Sequence, residues 1–245
     1  MRKVLIVGAT SAIARATARH FAADGDLLFL VGRDASRLAD VALDLDARGA
    51  GKAATYVMDA DDLDAHAGMI EAADVELGGL DTALIAYGTL PDQSTCTREV
   101  SAATGAWHTN AESPMALLTR LANLLESRGG GTLAVISSVA GDRGRKTNYV
   151  YGAAKAALST FLEGLRHRLH GTGVHVLTIK PGLVDTPMTA AFEKGALWST
   201  AERVGRDIYQ AIQRRREVCY TPAYWRFVML GIRAMPRSVF KRMNF

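Results

Sequence analysis

The sequence predicts an α/β protein in which a parallel sheet is covered by helices on both faces. Apolar runs recur along the 245 residues, with amphipathic, helix-like segments between them. The runs are almost continuously hydrophobic, which is typical of parallel strands buried on both faces. We therefore expect a single doubly wound domain with a seven-stranded parallel sheet and ligands at the carboxyl ends of its strands.

The predicted elements follow from these apolar runs and from the residues that typically begin or end helices. The candidate strands are Lys3–Gly8, Leu27–Gly32, Ala54–Met58, Leu80–Tyr87, Thr132–Ser137, Val174–Lys180 and Val218–Thr221. Asp34 is typical of a helix N-cap, and Gly49 is typical of a helix end. A long helical segment over residues 107–127 contains Pro114, which should bend it or displace a hydrogen bond.

Composition and charge are those of an ordinary globular protein with an uneven charge distribution. Residues 34–81 hold twelve acidic against three basic side chains, and residues 201–245 hold ten basic against three acidic ones. Cys96 and Cys219 have no metal-ligand spacing and indicate free thiols in a reducing compartment. No signal-like segment or membrane-spanning apolar run is present in the sequence. We therefore expect a cytoplasmic protein with no metal site; the arginines at 214–216 are typical of a solvated helix end, and we expect no nucleic-acid partner.

Ser138, Tyr151 and Lys155 have the types and the spacing of a proton-transfer site. Ser138 follows an apolar strand, and Tyr151 and Lys155 are four residues apart in an Ala-rich helical segment, so they share one helical face. A phenol has a pKa of about 10, and an ammonium group within ~4–6 Å favours the phenolate. Tyr151 is therefore a candidate general acid or base, with the Ser138 hydroxyl holding the substrate oxygen. A Tyr-x-x-x-Lys pair alone is common by chance, and the upstream serine favours the catalytic interpretation.

This arrangement resembles the short-chain dehydrogenase/reductase family, in which Ser, Tyr and Lys, with an upstream Asn, carry hydride-transfer chemistry. The resemblance spans roughly residues 1–222 and implies a Rossmann-type dinucleotide-binding and catalytic domain. Asn110 stands at the position of the family asparagine, which kinks its helix and orders a water beneath the lysine. A structural helix asparagine is the alternative for Asn110. By the same resemblance Lys155 also binds the nicotinamide ribose.

The turn after the first strand is a predicted pyrophosphate site. Residues 8–14 form a small-residue turn before a helical stretch, where free backbone amides and the helix dipole face an anion. The candidate contacts are Gly8, Thr10, Ser11, Ala12 and Ile13. The family has glycine at the positions of Ala12 and Ala14, so their methyl groups are expected to loosen or shift a bound dinucleotide. Helix–strand packing without any ligand is the alternative.

The end of the second strand bears on the choice of cofactor. Gly32 stands where an NAD-selective fold usually has an acid, and it is followed by Arg33, whose guanidinium suits a 2′-phosphate. NADP(H) is therefore favoured and NAD(H) remains possible. Arg33 could also only solvate the start of the next helix. By the resemblance Asp59 and Ala60 contact the adenine, although an Asp at a strand end is also a common turn residue.

Two later segments complete the candidate cofactor site. The family usually has Asn-Asn-Ala-Gly after the fourth strand, whereas this chain keeps only the glycine, Gly88, preceded by Ala86 and Tyr87. Ala86 and Gly88 are candidate contacts, and we expect Tyr87 to close over the cofactor.

The segment 180–186 resembles the family's Pro-Gly segment. By that resemblance Pro181, Gly182 and Val184 lie beside the nicotinamide, and Thr186 reaches its carboxamide or the pyrophosphate. A simple Pro-Gly turn is the alternative.

Residues 223–245 form a basic amphipathic tail that the general family does not explain. On a helix its arginines, from Arg226 to Arg237, would lie on one side, opposite Val228, Ile232, Met235 and Val239, with Pro236 splitting the helix. Such a segment is typical of a helix in a membrane interface, but its apolar face could equally cover the core or a subunit interface. Both interpretations stay open.

The tail, the turn 8–13 and the loop 141–145 also resemble one subgroup of the family, whose members reduce a polyprenyl-phosphoryl 2-keto-pentofuranose, decaprenylphosphoryl-D-erythro-pentofuranosid-2-ulose. A lipid-phosphate substrate would suit Arg143, Arg145 and Lys146.

These observations together predict an NAD(P)(H)-dependent oxidoreductase that reduces a ketone to a secondary alcohol with Tyr151 as the general acid. The ketone is expected on a lipid-linked 2-keto sugar, with a small soluble ketone, acyl or polyol substrate as the alternative. We also expect a homo-oligomer. Contact of residues 223–245 with the inner face of the membrane is one of the two interpretations of the tail. A non-catalytic dinucleotide-binding scaffold or sensor is the alternative class, because the glycine turn is altered.

Overall fold

A seven-stranded parallel sheet organises the chain, as the sequence predicts. The computed structural model describes residues 1–243. The strand order is β3-β2-β1-β4-β5-β6-β9, and every neighbouring pair is parallel. The strands are β1 Lys3–Val7, β2 Leu27–Gly32, β3 Lys52–Val57, β4 Thr82–Ile85, β5 Gly131–Ile136, β6 Val174–Pro181 and β9 Val218–Thr221. A separate parallel pair consists of β7 Leu183–Asp185 and β8 Trp198–Thr200.

Ten α-helices connect and flank these strands within residues 1–243. They are α1 Ala12–Ala23, α2 Ala35–Asp46, α3 Ala65–Leu77, α4 Gln93–Arg98, α5 Val100–Trp107, α6 Ser113–Ser127, α7 Tyr149–Arg168, α8 Ala201–Gln213, α9 Trp225–Ala234 and α10 Arg237–Phe240. None of the described helices combines the length and the apolar character needed to cross a bilayer.

The two faces of the sheet bury separate hydrophobic clusters. Along β1, Leu5 and Val7 enter one cluster, whereas Val4 and Ile6 enter the other, because successive side chains of a strand point to opposite faces. Helices α3, α6 and α7 contribute to the first cluster, and α1, α2 and α8 contribute to the second. Burial on both faces explains why the strands read as continuous apolar runs.

The predicted helix start at Asp34 is confirmed, since its carboxylate accepts a hydrogen bond from the backbone N–H of Arg37 at 3.0 Å. The helix ends at Asp46, three residues before Gly49, which adopts a left-handed conformation in the following turn. The sequence therefore places the end of this helix about one turn too late.

The hydrogen-bond pattern is displaced in the helical segment that carries Pro114, which is one of the two outcomes that the sequence predicts. A π-helical turn, His108–Glu112, separates α5 from α6, and Pro114 lies in the first turn of α6, where proline is well tolerated. Pro114 has no N–H to donate to the carbonyl of Asn110, and the N–H of Ser113 instead bonds to the carbonyl of His108, five residues back. The break therefore falls around Asn110.

The C-terminal helices pack on the turn after β5 with one face of α9. Trp225 and Met229 are buried there against Val139, with Val228 and Ile232 partly buried beside them. Pro236 ends the helix as expected, and α10 follows. The stripe predicted on one continuous helix does not extend to Val239, which is half exposed on α10.

Candidate active site

A cavity of about 450 Å³ lies at the carboxyl ends of the central strands. Every residue that the sequence places in the catalytic or cofactor site lines this one cavity, although these residues come from many elements. They are Gly8, Thr10, Ser11, Ala12, Ile13, Arg33, Asp59, Ala60, Ala86, Gly88, Asn110, Ser138, Tyr151, Lys155, Pro181, Gly182, Val184 and Thr186.

The turn between β1 and α1 presents unsatisfied backbone donors to the cavity. The amides of Gly8 and Ala9 both bond to the carbonyl of Val31 at 2.9 Å, which fixes the turn to the end of β2. Ser11 caps α1 by accepting from the amide of Ala14 at 3.1 Å. The amides of Thr10, Ala12 and Ile13 have no acceptor among residues 1–243, so this turn fits an anion at a helix N-terminus.

Gly8 allows this turn to approach the neighbouring strand. Its φ is +85°, and a Cβ there would lie 2.7 Å from the amide nitrogen of Tyr87. The two departures from the family glycines differ in their effect. The methyl of Ala14 is fully buried in the hydrophobic cluster on the α1 face and does not line the cavity, whereas Ala12 does line it. Only Ala12 adds bulk beside a pyrophosphate.

Two arginines and an acid surround the end of the cavity near β2. Arg33 is well exposed, and its guanidinium lies 3.8 Å from the carboxylate of Asp59. Arg37, in the first turn of α2, lines the same end of the cavity. Sequence reasoning missed Arg37, although its place just after the predicted N-cap Asp34 was available as a signal. This end of the cavity therefore carries two guanidinium groups, with the carboxylates of Asp59 and Asp61 beside them.

Tyr151 lies close to Ser138, as their predicted roles require. Burial raises the pKa of the Tyr151 phenol, and a hydrogen bond with the Ser138 hydroxyl offsets part of that effect. The Ser138 hydroxyl also accepts from the amide of Ala140 at 3.1 Å. Because burial is the larger effect, Tyr151 is a neutral phenol near pH 7.

Lys155 is buried, and its position corrects an expectation from the sequence. Its Nζ donates to the carbonyl of Ile136 at 3.2 Å and lies 5.8 Å from the centre of the Tyr151 ring. Burial lowers the pKa of Lys155 to about 8. The lysine was expected to depress the pKa of Tyr151, but desolvation of the phenol prevails and raises it. Lys155 is thus a cation poised to titrate just above neutral pH.

Asn110 is fully buried beside Lys155, at the π-helical turn. Its side-chain amide donates to the carbonyl of Ala106 at 2.9 Å, and its Oδ1 accepts from the amide of Thr89 at 3.1 Å. A Cβ at Gly88 would lie 2.7 Å from this Oδ1 and 3.4 Å from Lys155 Nζ. Gly88 therefore leaves the space in which the asparagine and the lysine come together.

The backbone of α7 is fixed to β5 by two serines that the sequence analysis did not single out. Ser137 and Ser159 both donate to the carbonyl of Lys155, at 3.1 and 2.8 Å, and their hydroxyls contact each other at 2.8 Å. Each serine is buried. These bonds set the position of the helix turn that carries Tyr151 and Lys155.

Tyr87 lines the cavity, and its hydroxyl is held at the start of α6. Its hydroxyl lies 2.7 Å from Ser113 Oγ, and its ring packs against the hydrophobic cluster on the α6 face. Burial raises the pKa of this phenol well above its usual value. The side chain is therefore anchored towards the start of α6, since a buried hydroxyl needs a partner.

The opposite end of the cavity is built by the loop after Ser138 and by α9. Trp225 packs so closely on Gly182 that any side chain at position 182 would overlap the indole. Arg143 donates to the carbonyls of Ile232 and Met235, the latter at 2.8 Å, and its guanidinium stacks on the ring of Phe240 at 3.8 Å. Arg143 therefore holds the C-terminal helices in place, and it is not among the residues that line the cavity.

Comparison with known proteins relates the whole chain to one group of enzymes. Residues 2–196 match the family described as short chain dehydrogenase. An uncharacterised oxidoreductase of Mycobacterium tuberculosis is 40% identical over 240 residues, covering 98% of this chain and 96% of its own length. An uncharacterised oxidoreductase of Streptomyces coelicolor is 35% identical over 246 residues, covering 99% and 96%.

The crystal structure of levodione reductase has a similar fold. It superposes with a TM-score of 0.80 over 89% of this chain and 95% of its own, at 20% sequence identity.

Proposed function

The chain belongs to the short-chain dehydrogenase family of oxidoreductases acting on CH–OH groups, and we propose that it is an NADP(H)-dependent carbonyl reductase. It reduces a ketone to a secondary alcohol. The observation that carries this proposal is the meeting of Ser138, Tyr151 and Lys155 in one cavity with three free backbone amides at the N-terminus of α1.

The residues present fit a dinucleotide along the length of the cavity. The amides of Thr10, Ala12 and Ile13, which have no acceptor among residues 1–243, would hold the pyrophosphate, and the Gly182 segment would hold the nicotinamide. The nicotinamide, when bound, supplies the hydride. Side chains of the protein bind the ketone, donate the proton and stabilise the charge that develops.

Tyr151 donates the proton to the carbonyl oxygen. Its raised pKa keeps the phenol protonated near pH 7, which suits an acid and therefore the direction of ketone reduction. Ser138 holds the same oxygen by a hydrogen bond. Lys155, still mostly protonated at pH 7, stabilises the phenolate that forms when the proton leaves.

Asn110 holds the proton path beneath Lys155. The buried amide anchors the π-helical turn at Ala106 and Thr89, next to the lysine. A water held at the carbonyl of Asn110, which Pro114 leaves without a helical donor, would connect Lys155 to solvent. This role is a positioning one, because Asn110 acts through Lys155.

NADP(H) is the proposed cofactor because the adenosine end of the cavity carries Arg33 and Arg37. A guanidinium pairs with a 2′-phosphate through two parallel hydrogen bonds. The end of β2, where an NAD-selective fold usually has an acid for the ribose diol, carries Gly32 instead, and the carboxylate of Asp59 lies 3.8 Å from Arg33. NAD(H) is the weaker fit.

The finer proposal concerns the ketone and its location. We favour a lipid-linked 2-keto sugar over a small soluble ketone because α9 exposes Phe227 and Leu230 beside the cavity wall, together with Arg226 and Arg233. An exposed apolar pair among arginines suits the surface of an anionic membrane. The protein would then work at the inner face of the membrane, with the tail 223–245 as its contact.

A homo-oligomer is proposed from a second exposed patch. Helices α5 and α7 pack against each other and expose Val100, Trp107 and Tyr149. Aromatic residues of this kind are enriched in subunit interfaces. Sedimentation velocity should show an oligomer for the wild type. The same measurement on Trp107→Ser should show the monomer.

Turnover separates the reductase from a dinucleotide-binding scaffold or sensor. The oxidation of NADPH, followed by its absorbance with a panel of neutral, anionic and lipid-linked ketones, should show reduction of at least one class. NADPH binding without consumption on any ketone would favour the sensor.

A further inference from the structure

Arg145 is a cation at the catalytic end of the cavity whose side chain has no hydrogen-bond or ion-pair partner among residues 1–243. It lies in the loop between Ser138 and α7, and its side chain lines the cavity that also contains Tyr151. Its Nε is buried and has no hydrogen-bond acceptor. The guanidinium makes no hydrogen bond or ion pair with any residue in the range 1–243.

Burial lowers the pKa of Arg145, and the charge of Asp142, the nearest acid in the sequence, offsets only part of this effect. Asp142 accepts from Lys180 Nζ at 2.6 Å on one oxygen and from the Tyr220 hydroxyl at 2.8 Å on the other. Its side chain is only 2% exposed, and both of its oxygens are engaged. A partly buried guanidinium without a hydrogen-bonded anion is costly, so an anionic ligand would be stabilised by binding to it.

Further polar groups beside Arg145 extend this unsatisfied region. The Oδ1 of Asn148, one turn later, is buried without a partner and lines the same cavity. Arg145 also lines a second cavity of about 70 Å³, between this loop and α10, to which Lys241 contributes. The cavity wall is therefore cationic from Arg145 towards the C-terminal helices, and an acceptor on Asn148 is available to a ligand hydroxyl.

We propose that Arg145 binds an oxyanionic group of the substrate, such as a phosphate, sulfonate or carboxylate, while the ketone of the same molecule lies at Tyr151. This inference rests on the proposed reductase function and names the class of its substrate. The planar guanidinium suits two oxygens of one anion. Arg143, two residues earlier, cannot replace it because it is engaged by the carbonyls of the C-terminal helices.

A matched pair of ketones tests the proposal. Dihydroxyacetone phosphate and dihydroxyacetone differ only by the phosphate, and the ratio of their kcat/KM values measures recognition of the anion. The wild type should prefer the phosphate, and Arg145→Met should lower the ratio by about 10- to 100-fold, the range for losing hydrogen bonds to a charged group. Arg145→Lys should fall between them, since it keeps the charge but not the fork.

Arg203→Met is the matched control, because Arg203 is an exposed arginine of α8 outside the cavity. Its ratio should equal that of the wild type. An equal ratio in Arg145→Met and the wild type, or a wild type without any preference for the phosphate, overturns the proposal. Thermal melting and NADPH affinity of each variant establish that a changed ratio does not come from misfolding.

Calorimetric binding of dihydroxyacetone phosphate to the complex with NADP⁺ separates this proposal from the function on which it rests. The NADP⁺ occupies the Arg33 end, so that binding reports the other end. Binding that depends on Arg145 without turnover of any ketone supports the anion site and rejects the reductase. If the protein reduces ketones but its binding of dihydroxyacetone phosphate does not depend on Arg145, the reductase is supported and the anion site is rejected.

Competition distinguishes a lipid phosphate from a free one. Geranyl phosphate should compete with dihydroxyacetone phosphate more strongly than inorganic phosphate does if the substrate is lipid-linked. Equal competition by the two supports a soluble phosphate. Failure of both to compete contradicts an oxyanion site at Arg145.

Discussion

Gly152 lies directly against the carbonyl of Ala140, and this contact joins the two segments that carry the candidate catalytic residues. A Cβ at position 152 would lie 2.9 Å from the Ala140 oxygen. Gly152 follows Tyr151 in α7, and Ala140 is two residues after Ser138. The approach of the phenol to the serine therefore depends on a missing side chain at the next position.

Gly152→Ala should destabilise the fold by about 1–3 kcal/mol, as overpacking of a close contact does. It should also lower kcat, because α7 must shift away from Ser138. Gly164→Ala on the same helix is the matched control. No atom lies within 4 Å of a Cβ at Gly164, so this change should stabilise the helix by about 0.5–1 kcal/mol. Chemical denaturation measures both, and equal effects of the two substitutions would contradict the account.

The sequence predicts the central sheet well because its strands are buried on both faces. Continuous apolar runs such as Leu27–Gly32 and Val218–Thr221 coincide with strands to the residue. The short pair β7 and β8 could not be predicted, since three residues in each carry no periodic signal. Helix α5 was also missed, because its Ala, Ser and Thr residues give no clear apolar stripe.

The candidate site was predictable where its geometry is local. Tyr151 and Lys155 share a helical face by spacing alone. The contact of Trp225 with Gly182 joins segments far apart in sequence, and no local pattern encodes it. The pKa of Tyr151 was misjudged for the same reason, because the desolvation that raises it comes from packing that the sequence does not display.

Reduction should slow as the pH rises through about 8. Burial lowers the pKa of Lys155 to about 8, so its positive charge is present below that pH and lost above it. The pKa of Tyr151 is raised, so the phenol stays protonated across this window and the loss belongs to the lysine. We expect log kcat/KM for the ketone to fall by about one unit per pH unit above that point.

The NADPH dissociation constant over the same pH range is the control for the pH profile. If weaker NADPH binding accounts for the whole fall in kcat/KM, the positive charge of Lys155 serves cofactor binding alone. A profile without any inflection near pH 8 would contradict the proposed role of Lys155.

Arg33→Asp should shift the preference from NADPH towards NADH by about 10- to 100-fold in kcat/KM, because it removes a charged donor for the 2′-phosphate and adds a repulsive carboxylate. Arg120→Asp is the matched control, on an exposed arginine of α6 outside the cavity. An unchanged affinity for NADPH in Arg33→Asp would remove Arg33 from the cofactor site.

Replacing both Phe227 and Leu230 by serine should weaken binding to vesicles of phosphatidylcholine with phosphatidylglycerol by at least about tenfold, since each exposed side chain would lose its burial in lipid. The melting temperature should stay near that of the wild type, because both residues face away from Trp225 and the core.

Serine at Leu43 and Val75, which are comparably exposed on α2 and α3, is the control for the tail. Cosedimentation with vesicles measures all variants. If the tail variant and the control bind vesicles equally well, α9 does not contact the membrane and only covers the cavity. Deletion of residues 223–245 is a poorer test, since it also removes the buried Trp225.

The most direct test of the account is the rate of NADPH oxidation by wild type and Tyr151→Phe with a ketone that the wild type reduces. We expect the variant to lose about 10²- to 10⁴-fold in kcat, the contribution of a general acid, while it binds NADPH as tightly as the wild type. A variant that reduces the ketone at the wild-type rate, or a wild type as inert as the variant although both bind NADPH, would contradict a proton-donating Tyr151 and the reductase proposed here.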